Sequence, residues 1–203
     1  MQTASFSIKR RVYILIAFKA FSKNLTSTHG DYKKRDFYFE EGKTYVEEEC
    51  KCARNGFHCA ENPLCCLTYY KEDARYFIVK AEGDINQDGI GSRISCTKLT
   101  LVREISLLEM GVYACQYIQK HPKRKLESCY AVRDYGECNT EFLIVRGKQP
   151  AAKGKKGSVI FYLKEDSDGN IVKICPVEIG QDGYKANTVY EFKGGKIREK
   201  KRN

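Results

Sequence analysis

The alternation of apolar and polar residues predicts several β-strands in the first hundred residues of this chain. Residues 11–21 form an apolar run, rich in β-branched and aromatic side chains, that is typical of a buried strand. Residues 37–49 alternate enough for one or two short strands around a turn at Glu41-Gly42. Residues 75–84 are predicted to form a strand with Phe77, Val79 and Ala81 on one face and Tyr76, Ile78 and Lys80 on the other, and residues 97–107 form a further strand-like run. A small sheet is expected in this half.

Two segments have helical signals. Asn62 can cap a helix that starts at Pro63, because proline at the first helical position loses no hydrogen bond there. Apolar residues then recur at helical spacing as far as Tyr70. Residues 107–121 carry the longer amphipathic pattern, which His121-Pro122 ends. We expect one short helix and one longer helix.

The remainder of the chain lacks a helical period from Cys129 onward and has the pattern of an all-β module. Its glycines at 136, 147 and 157 are nearly evenly spaced, which favours a short β-roll. The sequence thus predicts an α+β fold. An N-terminal mixed domain, with a small sheet and short helices, spans 1–108. A linking helix and basic segment follow at 109–128, and a β-rich C-terminal module with a basic tail spans 129–203.

The charge balance favours acidic partners. The chain has 36 Lys+Arg against 26 Asp+Glu, a formal net charge of +10. The basic cluster Lys123, Arg124 and Lys125 is a candidate contact for nucleic acid or another acidic macromolecule. No zinc-finger spacing, helix-turn-helix or aromatic sheet motif accompanies it. Nonspecific attraction is therefore the form of nucleic-acid binding that the sequence favours.

The cellular compartment determines how the cysteines are interpreted. The apolar run Val12–Phe18 is short for a secretory signal, and no segment approaches the about eighteen apolar residues of a membrane span. We therefore expect a cytoplasmic protein without membrane contact. In a reducing cytosol the 10 cysteines are expected to be mostly free thiols.

The stretch GFHCAENPLCCLTYY, residues 56–70, concentrates the candidate chemistry. The nearby thiols do not have the closely spaced ligand pairs of structural zinc, so no metal is predicted. The cysteines concerned are Cys50, Cys52, Cys59, Cys65 and Cys66. His58 and Cys59 would face opposite sides of a strand, which argues against a nucleophile and base pair. Glu61 and Arg75 are predicted to form a charge pair across the turn. A strand-to-helix junction is the first interpretation and a pocket is the second.

Several motifs resemble a small domain of unknown function in phage, prophage and related bacterial proteins, over about residues 12–108. The motifs are Lys19 and Phe21 on the first strand, the G-F-H-x-x-E-N-P stretch from Gly56, Tyr69 and Tyr70, Arg75-Tyr76 leading to V-x-A-x-G-D, and Arg103-Glu104-Ile105. The chain's end resembles the ends of β-roll proteins of the adhesin-head type.

The resemblance implies a non-enzymatic accessory protein of a phage, prophage or mobile element in the bacterial cytoplasm. Its partner would be a protein or nucleic acid of host or phage, and interference with a bacterial defence system is one role that the setting suggests. No cofactor is expected, and a homo-oligomer is left open. The candidate binding residues are Phe57, Glu61, Asn62, Tyr70, Arg75, Lys123, Arg124 and Lys125.

A distant likeness to ADP-ribosyltransferases gives an enzyme alternative. The likeness would place Lys19 at the cationic position of the first strand, His58 or Phe57 at the second position, and Glu104 at the carboxylate position. NAD would then be the cofactor, with Glu104 steadying a developing oxocarbenium ion. A pseudoenzyme that only binds NAD or another nucleotide is the related alternative.

Overall fold

The computed structural model describes residues 14–27, 37–70, 73–89, 91–125 and 129–201. Within these ranges, thirteen strands accompany one α-helix and one 3-10 helix. The protein is therefore mostly β, which corrects the α+β prediction. Both predicted helices are present, but they are short, and the strands account for most of the regular structure.

The strands and helices occur in the following order. The N-terminal half holds β1 Leu15–Phe21, β2 Thr26–Ser27, β3 Phe37–Tyr38, β4 Thr44–Val46, β5 Phe57–Ala60, the 3-10 helix Pro63–Thr68, β6 Arg75–Gln87 and β7 Arg93–Ile105. The helix α1 Leu107–Lys120 follows. The C-terminal half holds β8 Ala131–Cys138, β9 Phe142–Gly154, β10 Val159–Glu165, β11 Ile171–Glu178, β12 Tyr190–Lys193 and β13 Lys196–Glu199.

Parts of some predicted segments cannot be compared with the structure. The predicted strand 11–21 is observed from Leu15, and its residues 11–13 lie outside the described residues. The same holds for residues 126–128 of the predicted linking segment and 202–203 of the tail. Among the described residues, no helix is long and apolar enough to cross a membrane.

The N-terminal strands pair in a closed ring. β1 pairs with β6, β6 with β7, β7 with β5, and β5 returns to β1, all antiparallel. Alternating apolar residues fill the interior, as the predicted face Phe77, Val79 and Ala81 does. The shortest strand pairing in the ring is between β1 and β5, which share the single residue pair Phe18 and Ala60. A gap between these two strands is the origin of the pocket described below.

The helices form where their start signals lie. Asn62 caps the first one, and its Oδ1 accepts from Leu64 N at 3.0 Å. This helix is a short 3-10 helix and ends before Tyr70, whose φ of 56° leaves the right-handed helical region. The longer helix α1 confirms the prediction for 107–121, and a capping box between Ser106 and Glu109 fixes its first turn.

The C-terminal strands form a six-stranded mixed sheet that curls into a half-barrel. β9 pairs in parallel with β8 and β10, and the other neighbours are antiparallel. This confirms a β-rich module but does not show a β-roll. The regular glycine spacing has local causes instead. A Cβ at Gly147 would lie 2.3 Å from Asp134 Oδ1, and Gly157 turns with φ of 85°.

Candidate functional site

A cavity of about 340 Å³ opens beside the gap between β1 and β5. Much of its wall comes from residues 56–70, including Phe57, His58, the two adjacent cysteines and Tyr70. Both the junction and the pocket interpretations of this stretch therefore hold, because the strand-to-helix turn forms one wall of the cavity.

Lys19 is the charged residue in the depth of this site. Its side chain projects from β1 into the ring, and the residue is only 8% exposed. Its Nζ donates to the backbone carbonyl of His58 at 2.8 Å. The ammonium also lies 5.3 Å from the ring centroid of Phe21 and 5.6 Å from that of Phe39. Burial lowers the Lys19 pKa because the low-dielectric interior disfavours its charged form.

His58 has a defined orientation at the edge of the cavity. Its Nε2 accepts from the backbone N–H of Ala53 at 2.9 Å, so a neutral ring carries its proton on Nδ1. Ala53 takes a positive φ of 64° to present that N–H. On the same strand, Phe57 and Cys59 join the interior cluster, as alternation along β5 requires.

The thiols around Lys19 behave as apolar groups. Burial raises the pKa of Cys66 to about 12, and hydrogen bonding to Cys96 raises the pKa of Cys59 well above its usual value. All 10 cysteines are among the described residues, and none of them is joined in a disulfide. The described part of the chain contains no group of three or more His, Cys, Asp or Glu that could hold a metal ion.

The cavity wall is aromatic, and its charged groups are cationic. The rings of Phe37, Phe39 and Phe57 pack at centroid distances of 4.7 to 6.0 Å. Arg54 is exposed at the cavity, and Arg93 lies there while its Nε and Nη2 donate to Asp88 at 3.0 and 2.5 Å. Among the described residues that line the cavity there is no aspartate or glutamate.

Glu104, the predicted transferase carboxylate, lies elsewhere. Lys19 pairs with Phe77, and Phe77 pairs with Glu104, so the buried Phe77 separates the two by about 10 Å of sheet. Glu104 instead lines a depression with Tyr76 and Tyr130. Hydrogen bonds from Arg75 lower the Glu104 pKa.

The contacts of Arg75 contradict a predicted ion pair. Its Nε and Nη2 donate to the two carboxylate oxygens of Glu104 at 2.8 and 2.6 Å. The predicted pair between Glu61 and Arg75 is therefore wrong, and Glu61 instead lies 3.8 Å from the guanidinium of Arg124. Strand pairing between β6 and β7 brings the arginine to Glu104, and this pairing cannot be seen in the local sequence.

The candidate binding residues fall at separate places. Phe57 and Tyr70 line the cavity, whereas Asn62 is a buried helix cap. Arg124 lies over the ring of Tyr117 and donates to its hydroxyl. Lys123 and Lys125 flank it as exposed side chains on the segment after α1. These basic residues are not part of the cavity lining.

Sequence reasoning missed several lining residues. They are Phe37, Phe39, Arg54, Tyr69 and Arg93. The alternation Phe37-Tyr38-Phe39 was a usable signal, because it places two phenylalanines on one face. The arginines gave no such signal, since each lies in a turn or strand remote from Lys19 along the chain.

Comparisons with known proteins identify the N-terminal half only. Residues 15–112 match the model of a family described as a domain of unknown function (DUF7666). This match spans the closed ring, the 3-10 helix and the first turns of α1. No curated protein and no solved structure matches the chain. Residues 15–112 of this protein are therefore a domain of unknown function, DUF7666.

Proposed function

We propose that the protein is a non-enzymatic binding protein whose DUF7666 domain holds a small, ring-bearing anion of the nucleotide class. The observation that carries this proposal is the composition of the cavity beside Lys19. It joins a buried amine, an aromatic wall and an exposed arginine, and its described lining has no carboxylate.

The physical chemistry of the lining suits such a ligand. Any planar base can stack on aromatic side chains, whichever base it is. Phe39, Phe57 and Tyr70 supply such surfaces in the cavity. A phosphate gains most from cations that are partly withdrawn from water. Arg54 lies exposed at the cavity and supplies a guanidinium group for it, whereas the guanidinium of Arg93 is paired with Asp88. The volume of about 340 Å³ is within the usual range of small-molecule sites.

The transferase alternative has weaker support. NAD cleavage of this type requires a carboxylate close to the nicotinamide ribose. Glu104, the residue proposed for that role, is paired with Arg75 on the far side of Phe77 from Lys19. Binding of NAD without turnover is compatible with the cavity and is one form of the proposed function.

A macromolecular partner is a second proposal. Lys123 and Lys125 are exposed on the segment after α1, apart from the cavity, and could contact an acidic protein or a nucleic acid of host or phage. The phage or mobile-element setting and the adhesin-like end are proposals that rest on sequence resemblance. A steep fall in binding with added salt would support the nucleic-acid form of this proposal.

Calorimetric titration of the full chain with AMP, ATP and NAD tests the nucleotide proposal. We expect saturable binding that Lys19→Met weakens by about tenfold, because it removes the buried amine and the hydrogen bond that the amine would donate to the ligand. Lys23→Met is the matched control, since Lys23 is an exposed residue near the end of β1 that pairs with Asp73. Absence of binding for all three nucleotides would refute the proposed ligand class. Release of nicotinamide that Glu104→Gln abolishes would refute the non-enzymatic part.

A further inference from the structure

We infer that Lys19 is a covalent attachment site for a small aromatic aldehyde that carries an anionic group, held as an imine in the cavity. The inference deepens the proposed function, because it uses the same cavity and the same preference for a ring-bearing anion. It adds a bond-forming role for the Lys19 amine that noncovalent binding does not need.

The contacts of Lys19 leave its amine available for reaction. The amine donates one hydrogen bond, to the His58 carbonyl at 2.8 Å. No carboxylate of the described residues lies within ion-pair distance to hold it as an ammonium. A neutral amine that gives one N–H to a carbonyl keeps its lone pair for attack on an electrophile. Since Lys19 lines the cavity, an electrophile can enter from there.

The surroundings of Lys19 favour the neutral amine. The thiols of Cys59, Cys66 and Cys96, from β5, the 3-10 helix and β7, face it and act in the opposite direction, since negative charge on them raises the Lys19 pKa. Burial is the largest influence on the Lys19 pKa and lowers it, so a larger fraction is unprotonated at neutral pH than for an exposed lysine. Lys19 is the one lysine that is buried among the described residues.

The reaction balances without an oxidant or reductant. The Lys19 nitrogen attacks the aldehyde carbon, and a proton moves from the nitrogen to the oxygen to give a carbinolamine. Loss of the hydroxyl with a further proton releases one water and leaves a C=N bond. The water leaves through the open side of the cavity. Phe39, whose ring centroid lies 5.6 Å from the amine, also lines the cavity and would pack on the ring of the imine.

The anionic group of the aldehyde has its own place in the cavity. The exposed Arg54 guanidinium lies on the lining, away from the buried strand position of Lys19. A ring between the two would present its carbonyl to the amine and its phosphate or carboxylate to the arginine.

Reductive trapping tests the inference. The full chain is treated with substoichiometric pyridoxal 5′-phosphate and cyanoborohydride, digested, and analysed by mass spectrometry. We expect adduct at Lys19 to exceed that at exposed Lys23, because Lys19 combines a larger neutral fraction with a place in the cavity lining that Lys23 lacks. Lys19→Met should abolish this adduct, and Lys23→Met should leave it unchanged. Arg54→Gln should reduce the rate at Lys19 without changing the labelling of Lys23.

The outcomes separate this inference from the proposed function. The inference is overturned if exposed lysines are labelled as strongly as Lys19. It is also overturned if Lys19 is not labelled, even where nucleotides bind. If Lys19 forms the adduct but no nucleotide binds, the inference is supported, and the proposal that the ligand is a nucleotide is overturned. Excess AMP should slow the adduct if both use one cavity, and an unchanged rate at saturating AMP would count against a shared site.

Discussion

Arg75 and Glu104 form a two-point ion pair across β6 and β7. The guanidinium Nε and Nη2 donate to separate carboxylate oxygens at 2.8 and 2.6 Å, and the guanidinium also lies 5.7 Å from the ring centroid of Phe77. The two side chains are 35% and 39% exposed. This pair closes one end of the ring interior and keeps the carboxylate away from the cavity that Lys19 lines.

Glu104→Gln should lower stability slightly and in a pH-dependent manner. Because Arg75 lowers the Glu104 pKa in the folded state, the stabilisation is present above the unfolded carboxyl pKa. It is lost as pH falls through the lower, folded-state pKa. With both side chains over a third exposed, we expect less than about 1 kcal/mol near neutral pH. Urea denaturation at neutral and acidic pH measures the difference, which should shrink in acid.

Glu48→Gln is the control for this change, since Glu48 is an exposed carboxylate on the same half of the chain. Its unfolding free energy should remain that of the parent protein. If Glu104→Gln lost nucleotide binding while its fold was retained, Glu104 would have to be counted among the residues of the functional site.

Lys19→Met should stabilise the folded protein. A buried lysine with a lowered pKa disfavours folding below its usual value of 10.5, because the unfolded chain binds the proton more tightly. Parent stability should therefore rise with pH between the folded-state pKa of Lys19 and 10.5, and the variant should lack this rise. We expect a higher free energy of unfolding than that of the parent near neutral pH in denaturant titrations. Stability that falls in Lys19→Met would indicate a structural role for the amine.

Gly56→Ala should disrupt the wall of the cavity. Gly56 has φ of 77°, and an added Cβ would lie 2.6 Å from Cys50 Cβ and 2.9 Å from Cys50 Cα. Gly42→Ala is a matched control because Gly42 has φ of 78° with nothing within 4 Å of the added Cβ. We expect about 1–2 kcal/mol of destabilisation for Gly42→Ala from backbone strain alone. Gly56→Ala should cost clearly more in the same denaturation measurement, and equal losses would contradict this.

Glu165→Gln should strongly destabilise the C-terminal sheet. Arg146 and Glu165 are 2% and 3% exposed, and Arg146 Nε donates to Glu165 Oε1 at 2.5 Å. Removing one partner leaves a buried charge, for which a loss of about 3–5 kcal/mol is typical. Glu137→Gln, in the exposed pair with Lys153, should change the stability far less, because solvent screens that pair.

The double change Arg146→Leu with Glu165→Leu should lose less stability than Glu165→Gln, since it leaves no unpaired buried charge. Thermal unfolding of Glu165→Gln, Glu137→Gln and the double variant measures the order of their stabilities. A double variant that is less stable than the single one would show that the hydrogen bonds of Arg146 to the carbonyls of Pro122 and Gly169 stabilise the fold by more than the unpaired charge destabilises it.

The predictions that succeeded rest on interactions between near neighbours in sequence. Asn62 accepts from the backbone two residues on, and the capping box of Ser106 and Glu109 spans one turn. The predictions that failed needed contacts between distant strands. Glu61 was expected to pair with Arg75, but the register of β6 against β7 gives that arginine to Glu104.

The sequence by itself determined which residues are buried, where α1 begins and which stretch forms a wall of the site, because alternation, capping and glycine conformations act over a few residues. Only the tertiary structure decided that the ring closes through the single pair Phe18 and Ala60, and that Lys19 meets the His58 carbonyl beside an aromatic wall. These features depend on strand register and closure, whose free energy comes from many contacts far apart along the chain.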